Sequence, residues 1–279
     1  MLELEKSRTL EDWEATVVNE KLIQIFKEKL QAGKPVFGPF MKTSDPGFVE
    51  AAGYAGMDFA ILDMEHGPVN IQDMQNNIRA AQVSGILPVV RAAAVTEEAI
   101  GKALDIGAAA VEIPQISTAE EAKEAVRLAK FSPLGERGVC RFVRAAHYSS
   151  MEKEHYFKQA NETIVIAQIE GKEAVENLEE ILAVEGIDII FIGPYDLSQS
   201  LGVPGQVNHP RVVEEMNQIV TVAKSRGVVV GTFTDSGRMM EMWMKAGVQY
   251  ISYSVDVGIF HEACKSLTEK FHVLERNLN

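Results

Sequence analysis

The sequence is poor in cysteine. Only Cys140 and Cys264 occur among 279 residues, they lie far apart, and neither belongs to a CxxC pair. This scarcity argues against a disulfide framework and against a structural zinc site. Long apolar runs are also missing, since no segment approaches the roughly 18 apolar residues of a membrane-spanning helix. The amino-terminal residues are charged and lack the apolar core of a signal peptide, so we expect a cytoplasmic protein.

Basic residues are in deficit, with 27 lysines and arginines against 40 acidic residues and a net charge of −13. We therefore expect no binding to nucleic acid or to an anionic membrane, because both require a basic surface. A small anionic substrate remains compatible, since one arginine or one metal ion can dominate the potential of a pocket. With 46% hydrophobic and 24% charged residues, the composition is that of an ordinary globular protein.

Short apolar runs alternate with amphipathic segments along the chain, and most of these runs lack strict polar alternation. This pattern is typical of parallel strands buried on both faces. The predicted strands lie at 35–40, 57–62, 86–91, 108–114, 163–170, 187–193, 227–233 and 248–254. Eight strand–helix units predict an α/β fold, a (β/α)8 TIM barrel. An open doubly wound sheet is the alternative, but no GxGxxG follows the first strand.

The domain prediction is one barrel over residues 1–279. Before the first strand, an amphipathic segment from about Glu11 to Gln31 predicts an N-terminal helical extension within residues 1–33. The one irregular stretch is 131–162, and long loops inside compact domains are usually functional. We therefore expect that loop on the active-site side of the barrel.

Polar side chains collect where the predicted strands end, which is where a barrel of this kind has its active site. These side chains are Asp63, Glu65, His66, Arg91, Gln168, Glu170 and Asp196. Glu170 and Asp196 follow adjacent strands and would repel each other unless a proton, a cation or an arginine lies between them. Their hard oxygen ligands suit Mg²⁺ or Mn²⁺. The alternative is a structural network that closes the top of the barrel.

The other candidates have structural alternatives as well. His66 has no second histidine at zinc-motif spacing. Arg91 could bind a carboxylate or an enolate, or it could pair with Glu65. Asp105, taken alone, is typical of a carboxylate at a helix end. A Schiff-base mechanism is disfavoured, because no predicted strand carries a lysine at its core or at its carboxyl end.

Several segments together resemble one enzyme family. The segments "AGMDFAILDMEHGPVN", "PVVRAAA", "AQIEGKEAVENLEEILAVEGIDIIFIGPYDLSQSLG" and "HPRV" resemble the HpcH/HpaI family of metal-dependent class II pyruvate aldolases. That family includes 4-hydroxy-2-oxoheptanedioate aldolase and 2-keto-3-deoxy sugar-acid aldolases. The resemblance implies reversible cleavage of a 4-hydroxy-2-oxo acid to pyruvate and an aldehyde. It also implies a homo-oligomer, typically a hexamer.

The resemblance further implies catalytic roles for particular residues. Glu170 and Asp196 match the ligands of a divalent cation, which would be Mg²⁺, Mn²⁺ or Co²⁺. His66 matches the catalytic base, and Asp105 matches the carboxylate that raises the basicity of that base. Arg91 matches the residue that stabilises the enolate.

Gln168 and Tyr195 match the family's substrate-binding positions, and here the chain departs from the usual pattern. The family usually has a small alanine where this chain has Tyr195, and Pro-Met-Val where it has Pro114, Gln115 and Ile116. These departures leave the metal and pyruvate half of the site mostly intact, and they leave the identity of the aldehyde half of the substrate open. Two alternative functions stay open, namely a citrate-lyase-beta-like or citramalyl-CoA-type lyase and a non-catalytic keto-acid-binding barrel.

Overall fold

The structure, a computed structural model, describes residues 18–278. Its centre is a closed barrel of eight parallel strands, in which each strand pairs with the next and β8 pairs with β1. The strands are β1 Val36–Met41, β2 Phe59–Asp63, β3 Leu87–Arg91, β4 Ala110–Ile113, β5 Ile164–Ile169, β6 Ile189–Ile192, β7 Val229–Thr234 and β8 Tyr250–Val255. All eight predicted strands are present, and the prediction of a (β/α)8 TIM barrel is confirmed.

Helices surround the barrel and return the chain to the next strand. They are α1 Val18–Gln31, α2 Pro46–Tyr54, α3 Ile71–Ser84, α4 Glu97–Asp105, α5 Ala119–Ala129, α6 Lys153–Ala160, α7 Lys172–Glu176, α8 Leu178–Leu182, α9 Pro194–Ser200, α10 Pro210–Ser225, α11 Gly237–Ala246 and α12 Asp256–Leu278. Their ends carry the expected caps: Asn70 accepts two backbone N–H groups at the start of α3, and Thr118 forms a capping box with Glu121 at α5. The patterning did not predict α6, α9 or α12.

The core has two layers, one inside the barrel and one between the strands and the helices. Helix α1 belongs to the inner layer and lies across the amino-terminal end of the barrel. Its Phe26 ring makes edge contacts with Phe59 and Tyr250, the first residues of β2 and β8, at centroid distances of 6.2 and 6.0 Å. The active site expected at the carboxyl ends of the strands therefore opens at the end of the barrel opposite α1. The part of the predicted helical extension that precedes Val18 lies outside the described residues.

The segment 131–162 was predicted on the active-site side, and that placement is wrong. It connects the end of α5 to the start of β5, and in a barrel such helix-to-strand connections lie at the amino-terminal end. Arg144 accordingly donates to the backbone oxygen of Ile106, and Lys130 donates to that of Thr163. The segment contains a 3-10 turn at Arg144–Ser149 and helix α6, which pack around Phe131 and Tyr156.

Helix α12 differs from the other helices in its packing. It spans 23 residues, yet Asp256 is its only buried residue. Apolar side chains remain exposed along its length, including Phe260, Leu267, Phe271 and Leu274 at 58–65%. Exposed apolar rows of this kind usually mark an interaction surface. Over the described residues, no helix combines the length and the hydropathy that a membrane crossing requires.

Candidate active site

Asp63 organises the turn that follows β2. Its carboxylate is fully buried and accepts the backbone N–H groups of Glu65 and His66, at 3.1 and 3.2 Å. Burial alone would raise the pKa of Asp63, but hydrogen bonds and charge from Arg91 outweigh it and hold the pKa below its usual range. An ionised Asp63 therefore fixes the direction in which the turn presents His66.

Arg91, the last residue of β3, is held in a fixed orientation. Its Nε and Nη2 donate to the two carboxylate oxygens of Asp63 at 2.9 and 2.7 Å, a bidentate pair. Its Nη1 lies 3.0 Å from Glu65 Oε2, and its guanidinium carbon lies 4.7 Å from the centroid of the Phe40 ring. Burial disfavours the charged form, yet the hydrogen bonds and charge of Asp63 raise the pKa of Arg91. The cavity at this end of the barrel therefore contains a permanent positive charge.

His66 is an exposed candidate group. Its side chain is 59% exposed and lines the cavity, with Nε2 lying 3.9 Å from Glu65 Oε2. Glu65 is itself fixed by Arg91 and by Gln115, whose Nε2 donates to Glu65 Oε1 at 3.3 Å. Within one chain, Glu65 is thus the carboxylate that lies beside the His66 imidazole.

Glu170 follows β5 and is only 5% exposed. Its Oε1 accepts the backbone N–H of Gln115 at 2.8 Å, and its Oε2 accepts Nε2 of Gln168 at 2.5 Å. Gln115 adopts a left-handed backbone with φ of 57°, which aims its N–H at the carboxylate. Burial, together with the negative charge of Asp196, raises the pKa of Glu170 to about 7. A nearby cation would stabilise the ionised form of Glu170 and would therefore offset both effects on its pKa.

Asp196 lies in the first turn of α9, immediately after β6. The helix begins with Pro194, and a carboxylate in a first turn is favoured by the helix dipole. Gly193 precedes the helix, and a Cβ at that position would lie 2.4 Å from Glu170 Oε2. Only glycine therefore permits the backbone before Asp196 to approach Glu170 this closely.

These donors fit a divalent cation bound by few protein ligands. Glu170 and Asp196 supply hard carboxylate oxygens, and Gln168 Oε1 is buried without a hydrogen-bond partner in the described chain. No group of three or more histidine, cysteine, aspartate or glutamate side chains suited to a metal occurs within residues 18–278. Two carboxylates alone would leave most coordination positions to water and substrate oxygens.

Tyr195 narrows the cavity beside Asp196. Its hydroxyl donates to Asp235 Oδ2 at 2.6 Å, and its ring makes an edge contact with Phe233 at 5.9 Å. Burial, and then the Asp235 hydrogen bond and charge, raise the pKa of Tyr195 to about 12, so the phenol stays protonated and keeps donating. The cavity has a volume of about 330 Å³, and its apolar side is formed by Phe40, Phe191, Phe233 and Val255.

Asp105 is not brought to the other candidates within one chain. It ends α4, which returns the chain to the amino-terminal end of β4, whereas His66 follows the carboxyl end of β2. Its Oδ1 instead accepts Nη2 of Arg137 at 2.7 Å. A pairing of Asp105 with His66 in the same subunit is therefore excluded by the topology.

Sequence analysis missed two residues at this end of the barrel. Lys42 follows β1, which ends one residue later than predicted, and its Nζ lies 3.6 Å from Asp63 Oδ2 in the cavity. A lysine thus does enter the site, contrary to the expectation from the strand ends, but an ion-paired ammonium is unsuited to imine formation. Glu112 is fully buried inside the barrel as the register partner of Arg91, and burial raises its pKa to about 8. A glutamate inside the apolar run "AVEIP" was the available signal.

Comparison with known proteins now decides the family. The model of the HpcH/HpaI aldolase/citrate lyase family matches residues 37–263. The chain belongs to this family. The 2-keto-3-deoxy-L-rhamnonate aldolase of Escherichia coli O9:H4 (strain HS) is 34% identical over 248 residues, which cover 88% of this chain and 92% of that protein. The family prediction, and with it the prediction of an aldolase, are confirmed.

Solved structures agree with this assignment. An HpcH/HpaI aldolase/citrate lyase family protein from Burkholderia cenocepacia J2315 is similar with a TM-score of 0.85 and 32% identity, over 89% of this chain and 99% of that one. The citrate synthase SbnG is similar with a TM-score of 0.80 and 31% identity, over 89% and 98% of the two chains. Aldolases and a citrate synthase thus share this HpcH/HpaI barrel, so the substrate must be argued from the site.

Proposed function

We propose that this protein is a divalent-metal-dependent pyruvate aldolase, which reversibly cleaves a 4-hydroxy-2-oxo acid to pyruvate and an aldehyde. The observation that carries this proposal is the pair Glu170 and Asp196, held close together beside the fixed charge of Arg91. Burial and the negative charge of Asp196 raise the pKa of Glu170 to about 7, and a cation bound to both carboxylates would offset these effects. Arg91 is oriented by Asp63 and cannot neutralise that pair as well.

Each residue has a role that follows from its position. Glu170 and Asp196 would hold Mg²⁺, Mn²⁺ or Co²⁺, which when bound supplies Lewis acidity toward a 2-oxo acid. Gln168, with its free Oε1, would bind and orient the substrate beside them. Arg91 adds a preorganised positive charge where the enolate oxygen develops.

His66 is proposed as the group that moves the proton. In the cleavage direction the C4 hydroxyl loses its proton, the C3–C4 bond breaks, and the aldehyde leaves the enolate of pyruvate. His66 faces the cavity from a turn fixed by Asp63, and an imidazole is suited to proton transfer near neutral pH. Glu65, at 3.9 Å, is placed to orient the ring.

The proposed mechanism is tested by turnover and by trapping. We expect cleavage of 4-hydroxy-2-oxo acids that stops on chelation and returns with Mg²⁺, Mn²⁺ or Co²⁺. The relatives named 2-keto-3-deoxy-L-rhamnonate aldolase make 2-keto-3-deoxy sugar acids the first substrates to assay. Borohydride reduction in the presence of pyruvate should leave Lys42 and every other lysine unmodified. Covalent trapping at a lysine, or turnover of CoA thioesters in preference to free acids, would contradict the proposal.

We also propose that the active enzyme is a homo-oligomer, a hexamer by the resemblance of its sequence to the family. The exposed apolar row Phe260, Leu267, Phe271 and Leu274 on α12 supports this proposal, because a lone chain would leave the row in water. Light scattering should show the oligomer, and Phe271→Glu should dissociate it. A monomeric wild-type enzyme with full activity would contradict the proposal.

In such an oligomer, Asp105 of one subunit could act on His66 of another. His66→Ala and Asp105→Asn should then each be inactive alone, whereas a mixture of the two, dissociated and reassembled, should regain partial activity. Complementation requires that the two residues come from different chains. Full activity of Asp105→Asn by itself would remove Asp105 from the mechanism.

A further inference from the structure

A second cavity, of about 400 Å³, lies at the amino-terminal end of the barrel. Helix α1, the end of α3, the end of α4 with the turn before β4, and the segment 131–162 form its walls. The candidate active site is at the opposite end of the same barrel. Within one subunit, a ligand in this second cavity would therefore be separate from the substrate of that subunit's own active site.

Two buried donors in the cavity wall have no partner. Arg137 and Tyr156 are 5% and 1% exposed, and within residues 18–278 neither Arg137 Nε nor the Tyr156 hydroxyl forms a hydrogen bond. The rest of Arg137 is well fixed, since Nη2 donates to Asp105 and the guanidinium carbon lies 4.7 Å from the centroid of the Phe131 ring. Buried donors without an acceptor are rare and costly in native proteins. The wall of the cavity thus contains two buried donors that lack an acceptor in the described chain.

The charge around this cavity is positive. Arg144 donates to Gln82 Oε1 and to the backbone oxygen of Ile106, and it forms no ion pair with a carboxylate in the described chain. Burial, and then repulsion from Arg79, lower the pKa of Arg144. Asp105 is already paired with Arg137. The surplus charge therefore favours an anion over a neutral acceptor.

The wall of the cavity includes an unusual backbone. His147, Tyr148 and Ser149 are three consecutive residues other than glycine with positive φ, at 48°, 54° and 76°. Such a conformation is costly and concentrates at binding sites. Here it places His147 and Tyr148 on the cavity.

We propose that this cavity binds a small oxyanion, the phosphate or carboxylate group of a small metabolite. One anion oxygen would accept from the Tyr156 hydroxyl and another from Arg137 Nε. The uncompensated guanidinium of Arg144 would supply the attraction over a longer range. Such a ligand would act on the enzyme as an effector or as a structural anion.

The test measures anion binding by calorimetry and by thermal unfolding. Inorganic phosphate and succinate are titrated into the wild-type enzyme in separate arms, with chloride keeping the ionic strength constant. We expect saturable binding and a rise in Tm in at least one arm, and the arm that binds identifies phosphate or carboxylate as the ligand group. Absence of a saturable response in both arms would overturn the proposal.

Tyr156→Phe locates the binding event, because it removes only the unpaired hydroxyl and keeps the ring. The substitution should lower the affinity for the anion at least about fivefold, as expected when one hydrogen bond to a charged group is lost. It should also raise Tm in chloride alone, since the buried hydroxyl no longer lacks a partner. Tyr54→Phe, on the exposed face of α2, is the matched control and should behave as the wild type does.

A second variant tests the same cavity at a different residue, in case Tyr156→Phe changes only its immediate surroundings. Arg144→Gln should lower the affinity for the anion, and that affinity should change less with salt concentration than it does in the wild type. Binding by Tyr156→Phe and Arg144→Gln with wild-type affinity would overturn the proposal, because the anion would then occupy another site. Pyruvate proton exchange should be the same in the wild type and in Tyr156→Phe, which shows that the catalytic end is undisturbed.

Discussion

The buried carboxyl of Glu112 should make the free energy of unfolding depend on pH. This carboxyl is fully buried beneath Arg91, and its only hydrogen bond is the one it accepts at Oε2 from Tyr250, at 3.3 Å; its Oε1 has no partner in the described chain. Burial raises its pKa from the ordinary 4.5 to about 8. The folded protein therefore binds the Glu112 proton more tightly than the unfolded chain does. Between these two values the free energy of unfolding must fall as pH rises, because the unfolded state releases the proton first.

The size of this effect follows from the two pKa values. A tenfold change in proton affinity is worth 1.36 kcal/mol, so the complete change from 4.5 to about 8 is worth about 5 kcal/mol at most. Glu112→Gln keeps the shape of the side chain and removes the titration. Relative to the wild type, this variant should gain roughly 1 kcal/mol per pH unit from pH 5 to pH 8.

The assay is urea unfolding of both proteins at each pH, with the difference between their free energies as the readout. Other titrating groups cancel in that difference. Glu214→Gln, an exposed glutamate on α10, is the matched control and should give a difference that does not change with pH. Equal pH dependence of the Glu112→Gln and Glu214→Gln differences would refute the argument, and so would a loss of stability in Glu112→Gln at pH 8.

Three predictions concern the catalytic end. Glu170→Gln should lose most metal affinity, measured by calorimetry, while keeping its fold; unchanged affinity would remove Glu170 from the ligands. Gly193→Ala should weaken the metal too, because a Cβ would displace Glu170 Oε2, whereas Gly171→Ala, with open space around it, is the control and should not. Tyr195→Ala should change the ratio of kcat/KM between aldehydes by about 1–3 kcal/mol in free energy and leave pyruvate proton exchange nearly unchanged. Equal losses for every aldehyde and for proton exchange would instead assign Tyr195 to the metal site.

The fold was predictable because its signals are local and repeated. Eight apolar runs that alternate with amphipathic segments, several of which carry capping residues, leave few arrangements besides a closed parallel barrel. Helix α12 was harder to predict, since its apolar residues face away from the barrel. The placement of 131–162 failed for a topological reason, because a segment that follows α5 belongs to the amino-terminal end.

The candidate site was predictable where one strand end supplies one functional group. Glu170, Asp196, His66 and Arg91 could be selected because parallel strands deliver their carboxyl ends to one face. Spacing could not show that Asp63 would hold Arg91, since that pairing depends on the register of β2 against β3. A shift of one residue at the end of β1 was likewise enough to hide Lys42.

The choice of the carboxylate that lies beside the His66 imidazole also depends on distances between side chains, which the sequence does not contain. Asp105 was assigned next to His66 from the resemblance alone, and the topology puts the two at opposite ends of one subunit. Glu65, which the resemblance did not assign, is the carboxylate that lies near His66. The adjacency of Glu65 and His66 in the sequence predicted that Glu65 helps to orient the imidazole, and the folded turn sets the distance of 3.9 Å between Glu65 Oε2 and His66 Nε2.

The most direct test of the central claim is the exchange of pyruvate methyl protons with D₂O, followed by NMR. This exchange passes through the enolate and needs no aldehyde, so it isolates the metal and Arg91 half of the site. We predict that the metal-stripped enzyme does not exchange, that Mg²⁺, Mn²⁺ or Co²⁺ restores exchange, and that Glu170→Gln stays inactive at the same metal concentration. Exchange at the wild-type rate in the stripped enzyme, or in Glu170→Gln, would contradict the account.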